Sequence, residues 1–336
     1  MKKNVLPILA VILAVVIVTI LIPSGLIALW PEKKQEVTPA STFVELKIEP
    51  DDPQIDVYLS EQKKTVSMSL EEYVRGVVAA EMPVQFEREA LKAQSIAART
   101  YVVRRLQSGK RTEQGAHVSD DHNQGQAFST EEKMKKRWGA DYQQNLSKLN
   151  EAINETREEV ALYEGKPIEA LFFSTSSGKT ENSEDYWENT VPYLRSVDSP
   201  WDLNSDKYTA TQEMSLADFF QKLGVQAVPA AQVGETIVAL ERTATEHIKK
   251  IKVGDKTFSG ADFRSKLGLR STWFTWQVDR AAGKITFQTK GYGHGVGLSQ
   301  YGANGMAQEG KTSEQIIRHY YQGVSLGNIA DVLTKG

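Results

Sequence analysis

An uncharged stretch from residue 5 to residue 30, dense in Ile, Leu and Val, constrains this chain before any other feature is read. About 20 such residues cross the hydrocarbon core of a bilayer. A run without a polar face does not suit the surface helix of a soluble domain. Lys2 and Lys3 precede it, Pro7 lies in its first turn, where proline is tolerated, and Pro23, Ser24 and Gly25 mark its outer end. A cleaved signal peptide is the competing reading, but its apolar region is usually shorter and no small-x-small cleavage site stands out here. Residues 1–30 therefore read as an uncleaved anchor in the cell membrane, a single pass with the N-terminus inside and the remaining chain extracytoplasmic. Lys33 and Lys34 dilute that charge bias.

The rest of the 336 residues can bury a proper core. A net charge of -3 argues against a nucleic-acid binder. The absence of cysteine excludes a disulfide framework, a thiol nucleophile and Cys-based metal sites.

Residues 31–42, polar with two prolines, read as a linker, and residues 43–330 as the folded extracytoplasmic unit. FVELKI and IDVYL read as strands, followed by two helices and a softer polar stretch over 107–126. One helical region is expected over 130–159, then a hairpin turning at Glu-Gly-Lys-Pro. Residues 200–270, with a helix over 216–223, a strand over 236–240 and a hairpin at Val253-Gly-Asp, suggest a smaller lobe. Strands over 273–278 and 284–290 lead through a glycine-rich loop into two C-terminal helices, and Thr312 with Gln315 forms a capping box for the last. The irregular alternation implies an α+β fold rather than a doubly wound sheet.

Ser69 and Glu72 form a capping box, so a helix begins at Leu70. Its apolar series is Leu70, Tyr73, Val74, Val77 and Val78, and the next position in that series is Glu81, just before the terminating Pro83. A carboxyl group on an apolar stripe at the negative end of a helix has its charge disfavoured, which suits a general acid. A solvated or ion-paired glutamate at a helix end fits the periodicity equally. In the next helix, over 87–106, Gln94 shares a face with Ala90, Leu91, Ala97, Ala98 and Tyr101, while Arg99 lies on the neighbouring face. Gln94 and Arg99 could hold a sugar or orient Glu81; a satisfied core amide and an exposed cation are the plainer readings.

Ser174-Thr175-Ser176-Ser177-Gly178 follows an apolar strand and offers hydroxyls to a carbohydrate, or forms a polar turn. Gly291-Tyr292-Gly293-His294-Gly295-Val296-Gly297 matches neither a dinucleotide loop nor a P-loop. Its glycines would let backbone approach a ligand, with His294 as acid/base, contact or plain loop residue. Ser299-Gln300-Tyr301 starts a helix there. His117 and His122 flank Asp120 and Asp121, but the spacing fits no standard zinc motif, so neither metal nor cofactor is assigned.

Three blocks, SLEEYVRGVVAAEMPVQFEREALKAQSIAARTYVV, FFSTSSGKTENSEDYW and GYGHGVGLSQYGANGMAQEG with a final HYYQG, resemble the stage II sporulation protein D family, which includes amidase enhancers. That resemblance implies a lytic transglycosylase that acts in engulfment during sporulation. Such enzymes cleave between N-acetylmuramic acid and N-acetylglucosamine in peptide-stripped glycan strands and leave 1,6-anhydro ends. It puts the catalytic glutamate of the AAEMP block at Glu81. It implies as partners a cell-wall amidase (stage II sporulation protein P) and a membrane scaffold (stage II sporulation protein M). Gln94, Arg99, Ser176, Tyr193, His294 and Gln300 fall in or beside the matched blocks as glycan-groove candidates. Relatives that bind zinc near the HVSDDHNQGQAF stretch do so with a Cys that is absent here, and SSG over 176–178 replaces an expected Ser-Gly-Gly.

Two rival functions follow from the same residues. One is a non-catalytic, glycan-binding activator of an amidase. The other is a water-using glycosidase, which needs a second carboxylate such as Asp198 or Asp202.

Overall fold

The computed structural model describes residues 43–121 and 125–333. The proposed anchor, the linker, His122 and the last three residues lie outside them. Among the described residues no helix is long and apolar enough to cross a membrane.

The fold is a mixture of helices and small sheets. Strand β1 (Gln54–Leu59) pairs antiparallel with β2 (Lys64–Ser69), whose last residue caps α1 (Leu70–Glu81). The capping box is present: Ser69 Oγ accepts from the Glu72 N–H and Glu72 Oε2 from the Ser69 N–H. Met82 leaves the helical region, so α1 ends at Glu81. Helix α2 (Arg88–Ser108) packs on α1 and is buried along most of its length. Then come the short β3 (Val118–Ser119), parallel to β1, followed by α3 (Glu131–Trp138) and α4 (Tyr142–Glu155). The helical region expected over 130–159 consists of two helices, because Gly139 sits at φ 52° and diverts the backbone into a short 3₁₀ turn.

The FVELKI segment is extended but belongs to no sheet. The Val44 and Lys47 N–H groups donate to Ser147 Oγ and Asn154 Oδ1, while Asn150 and Asn154 donate to the Val44 and Glu45 carbonyls. Side chains of α4 therefore take the place of a partner strand.

The expected hairpin joins β4 (Glu159–Tyr163) to β5 (Lys166–Pro167) through Glu164 and Gly165, both at positive φ. Strand β6 (Phe172–Phe173) and the turn α5 (Ser183–Tyr186) follow. A second apolar core is built from β7 (Thr209–Ser215), α6 (Leu216–Leu223), α7 (Ala230–Thr236), β8 (Ile237–Arg242), β9 (Ile248–Val253), β10 (Lys256–Ser259), α8 (Gly260–Leu267), β11 (Phe274–Asp279) and β12 (Lys284–Lys290). Its two three-stranded sheets run β10-β9-β8 and β11-β12-β7, and Phe219, Phe263, Phe274 and Phe287 pack together inside it. The chain returns to the first core through β13 (Leu298–Ser299), parallel to β6, then α9 (Gln300–Gln308), α10 (Ser313–Tyr320), β14 (Ser325–Asn328) beside β4, and α11 (Ile329–Leu333).

Candidate active site around Glu81

The apolar face of α1 ends at Glu81, and there the first core opens into a cavity of about 470 Å³. Its wall takes Glu81 from α1, Tyr101 from α2, Gln126 from the following loop, residues 170–174 around β6, Tyr292, Gly293 and His294 from the glycine loop, and Gln300 from α9. Glu81 also lines a second cavity of about 380 Å³ with Arg137 and Trp138. It therefore stands on the ridge between two hollows, half-buried. The Ala127 N–H donates to Glu81 Oε1 at 2.7 Å and holds one carboxyl oxygen in place.

Among the described residues lining the larger cavity, Glu81 is the only carboxylate. Tyr73 lies behind it. Burial pushes its phenol well above the ordinary value, and negative charge on Tyr101 and Glu81 adds to the shift. The Tyr73 hydroxyl donates to Gln126 Oε1, which leaves Gln126 Nε2 buried with no acceptor among the described residues. Gln300 Nε2 donates to Gln94 Oε1 at 3.4 Å, and Gln94 Nε2 is likewise unsatisfied. Buried amide donors without partners are uncommon in a finished core and suit a ligand rich in hydroxyl and acetamide oxygens.

His294 is on the wall, but both ring nitrogens are engaged. Nδ1 lies 3.1 Å from the Val296 N–H and accepts from it, so Nε2 carries the proton and donates to the Phe172 carbonyl at 3.1 Å. Burial depresses its pKa to about 4, with Arg264 adding to the shift. The ring is thus neutral and packs against Phe173, Tyr186 and Trp187, presenting a surface rather than a titrating group. The surrounding glycines serve close packing. A Cβ on Gly297 would lie 2.2 Å from the Leu171 carbonyl oxygen, and one on Gly293 2.7 Å from Phe173 Cβ. Protein, not ligand, is what these glycines let come near.

Three other candidates belong to the scaffold. Arg99, read from sequence as an exposed cation or sugar contact, is fully buried. Its Nε and Nη2 donate to the two carboxyl oxygens of Glu71 at 2.8 and 2.7 Å, and Nη1 donates to the Glu159 carbonyl. A guanidinium committed in this way joins α1, α2 and β4, and its full burial away from the cavity wall keeps it from a glycan. Ser176 is buried and donates to Asp202 Oδ2 at 2.6 Å, and Ser199 and Ser299 donate to the same carboxylate. Tyr193 packs on Tyr163, and its hydroxyl accepts from the Glu169 N–H, bracing the strand that leads to the cavity. Of the seven candidates, Glu81, His294 and Gln300 line the cavity and Gln94 reaches it through Gln300.

Neither Asp198 nor Asp202 reaches the cavity wall. Asp202 is buried among three serine hydroxyls, and Asp198 pairs with Lys179 on the surface. His117 Nδ1 accepts from the Asp56 N–H, and Asp120 Oδ1 from the Ser60 N–H. No group of three or more His, Cys, Asp or Glu is placed to hold a metal among the described residues. Tyr292, the tyrosine that the glycine loop presents beside His294, is on the wall, and so are Tyr101 and Gln126, which no motif selected. Tyr101 had a signal, since it lies seven residues after Gln94 on the same helix face, whereas Gln126 sits in an aperiodic polar loop.

A family model described as stage II sporulation protein matches residues 58–163. The chain is 48% identical over 283 residues to stage II sporulation protein D of Bacillus amyloliquefaciens, covering 84% of this chain and 80% of that protein. Its Bacillus subtilis counterpart is 44% identical over 283 residues, with 84% and 81% covered. The chain belongs to the stage II sporulation protein D family. A more distant relative, the amidase enhancer of Bacillus subtilis, is 28% identical over 304 residues, 75% of this chain and 40% of that protein. The AAEMP block that carries Glu81, and helix α2 behind it, lie inside the region matched by the family model.

Proposed function

We propose that the chain is a membrane-anchored lytic transglycosylase of sporulation. It would cut the bond between N-acetylmuramic acid and N-acetylglucosamine in peptide-stripped strands. The observation that carries this reading is the lone carboxyl group of Glu81 on the ridge between two hollows. A polymer laid across that ridge has its scissile bond beside one carboxyl group. Hydrolysis with inversion or retention calls for two carboxyl groups about 5–9.5 Å apart, and among the described residues no second carboxylate lines the larger cavity.

One carboxyl group suffices when the sugar supplies the nucleophile. Protonated Glu81 donates to the leaving glycosidic oxygen as the bond to the anomeric carbon breaks. The resulting carboxylate takes the proton from the muramic 6-hydroxyl as that oxygen bonds to the same carbon. The products are a free N-acetylglucosamine end and a 1,6-anhydro end, and Glu81 is protonated again. Intramolecular attack gains from the proximity of the two reacting groups. The Ala127 N–H orients Glu81, and Gln126 and Gln300 present amide donors to the ring substituents.

The likeness to the amidase enhancer favours a second reading, in which the chain binds glycan and stimulates an amidase without cleaving. Glu81→Gln separates the two. Under the first reading it loses about 10³-fold or more in anhydro-product release from stripped strands, in keeping with removal of an essential acid/base, while stimulation of an amidase persists. A wild-type protein that stimulates the amidase but releases no anhydro product establishes the second.

A further inference from the structure

A third hollow, of about 490 Å³, adjoins the Glu81 cavity and shares Tyr101 with it. On α2, Tyr101, Arg104, Arg105 and Ser108 follow the i, i+3, i+4, i+7 spacing and face one way. Opposite them runs the segment that continues into the active-site wall: Lys166, Pro167 and Glu169 line this hollow, and residues 170–174 line the next. Lys110, just past the helix end, completes a set of four cations against the one carboxylate of Glu169.

Part of this charge is already used. Arg105 lies in the last turn of α2, where a cation complements the helix dipole, and it donates to the His117 carbonyl. Arg104 donates to the Pro167 carbonyl and is only 4.0 Å from Glu169, with both side chains nearly half exposed. Lys110 and Lys166 are different. Both are exposed, and neither ammonium has a hydrogen-bond or ion-pair partner among the described residues.

We propose that this hollow is a carboxylate-binding subsite of the active-site trough, in which Lys110 and Lys166 take the lactyl carboxylate of a muramic residue further along the strand. This rests on the glycan-cleaving reading of Glu81. The chemistry selects the ligand. In a glycan of alternating N-acetylglucosamine and N-acetylmuramic acid, the ring substituents are neutral except for the lactyl group. That group is an uncharged amide while a peptide is attached and becomes an anion when the amide is hydrolysed. A cationic subsite beside the cutting site would therefore give the proposed preference for peptide-stripped strands a basis in two named residues.

The test measures equilibrium binding to the full chain carrying Glu81→Gln, so that the strand is not consumed. Two short strands are used, one with free lactyl carboxylates and one with each carboxylate converted to its methyl amide. The acid strand is expected to bind tighter, and Lys110→Gln/Lys166→Gln is expected to lower the acid-to-amide affinity ratio by about tenfold, the reach of two exposed ion pairs. Lys110→Arg/Lys166→Arg, which keeps the charge, should retain most of the ratio, and rising salt should shrink it in the parent. Equal affinity for the two strands in the parent, or a ratio unmoved by the glutamine variant, overturns the subsite. Either result leaves the Glu81 reading standing, because that reading is decided by the products released by the wild-type and Glu81→Gln chains and not by this binding ratio.

Discussion

Glu81 extends the series Leu70, Tyr73, Val74, Val77 and Val78, all buried, and this is why a carboxyl group stands at the mouth of a cavity instead of on the surface. The placement was legible because a capping box and a proline bracket one short helix. Arg99 was not. Its helix face alone does not say that Glu71, 28 residues earlier, turns inward to meet it. Glu181 is another buried carboxyl group, and it sits beside a histidine instead of an arginine. Burial raises its pKa to about 8, while His247, 3.6 Å away, is pushed down to about 3 by burial. The unfolded chain holds these groups near 4.5 and 6.5. His247 thus adds stability that is complete above pH 6.5 and fades as pH falls toward 3. Glu181 adds stability that is complete below pH 4.5 and fades as pH rises toward 8. Between pH 6.5 and 8 the glutamate acts alone, so the melting temperature should fall as pH rises through that window. Glu181→Gln should flatten the slope, and a variant with the wild-type slope would contradict the assignment.

At the scale of elements, most helices and hairpins follow from local chemistry: caps at Ser69, Thr130 and Thr312, positive-φ residues at Glu164 and Gly165, alternation in β12. The FVELKI segment shows the limit. Its alternation is strand-like, but whether a strand finds a partner strand or a helix face depends on residues a hundred positions away. Ser147, Asn150 and Asn154 recur along one face of α4 and supply the hydrogen bonds. Asn154→Ala should therefore release this segment specifically. Amide exchange at Val44 and Lys47 should rise by an order of magnitude or more while exchange in α1 and α2 holds, since such a local opening leaves the core intact. A uniform rise across the chain would mean that the strap is part of the global fold.

For the whole molecule, the site exists because widely separated segments converge: the end of α1, the middle of α2, the loop at Gln126, the strand around β6 and the glycine loop before α9. Each carries a recognisable local pattern, yet their convergence is a matter of topology, set by β13 pairing with β6 and by α9 packing on α2. That is why sequence motifs singled out Ser176, which completes the scaffold, alongside His294, which lines the cavity, and passed over Tyr101 and Gln126. The glycine loop is unusual in composition because four close approaches to neighbouring backbone and side chains require it. In the proposed reaction one carboxyl group cuts a glycan with the sugar as its own nucleophile. The most direct measurement is the mass of the products released from peptide-stripped strands by the wild-type chain. Fragments ending in 1,6-anhydro-muramic acid are expected, and reducing ends heavier by one water would contradict that reaction.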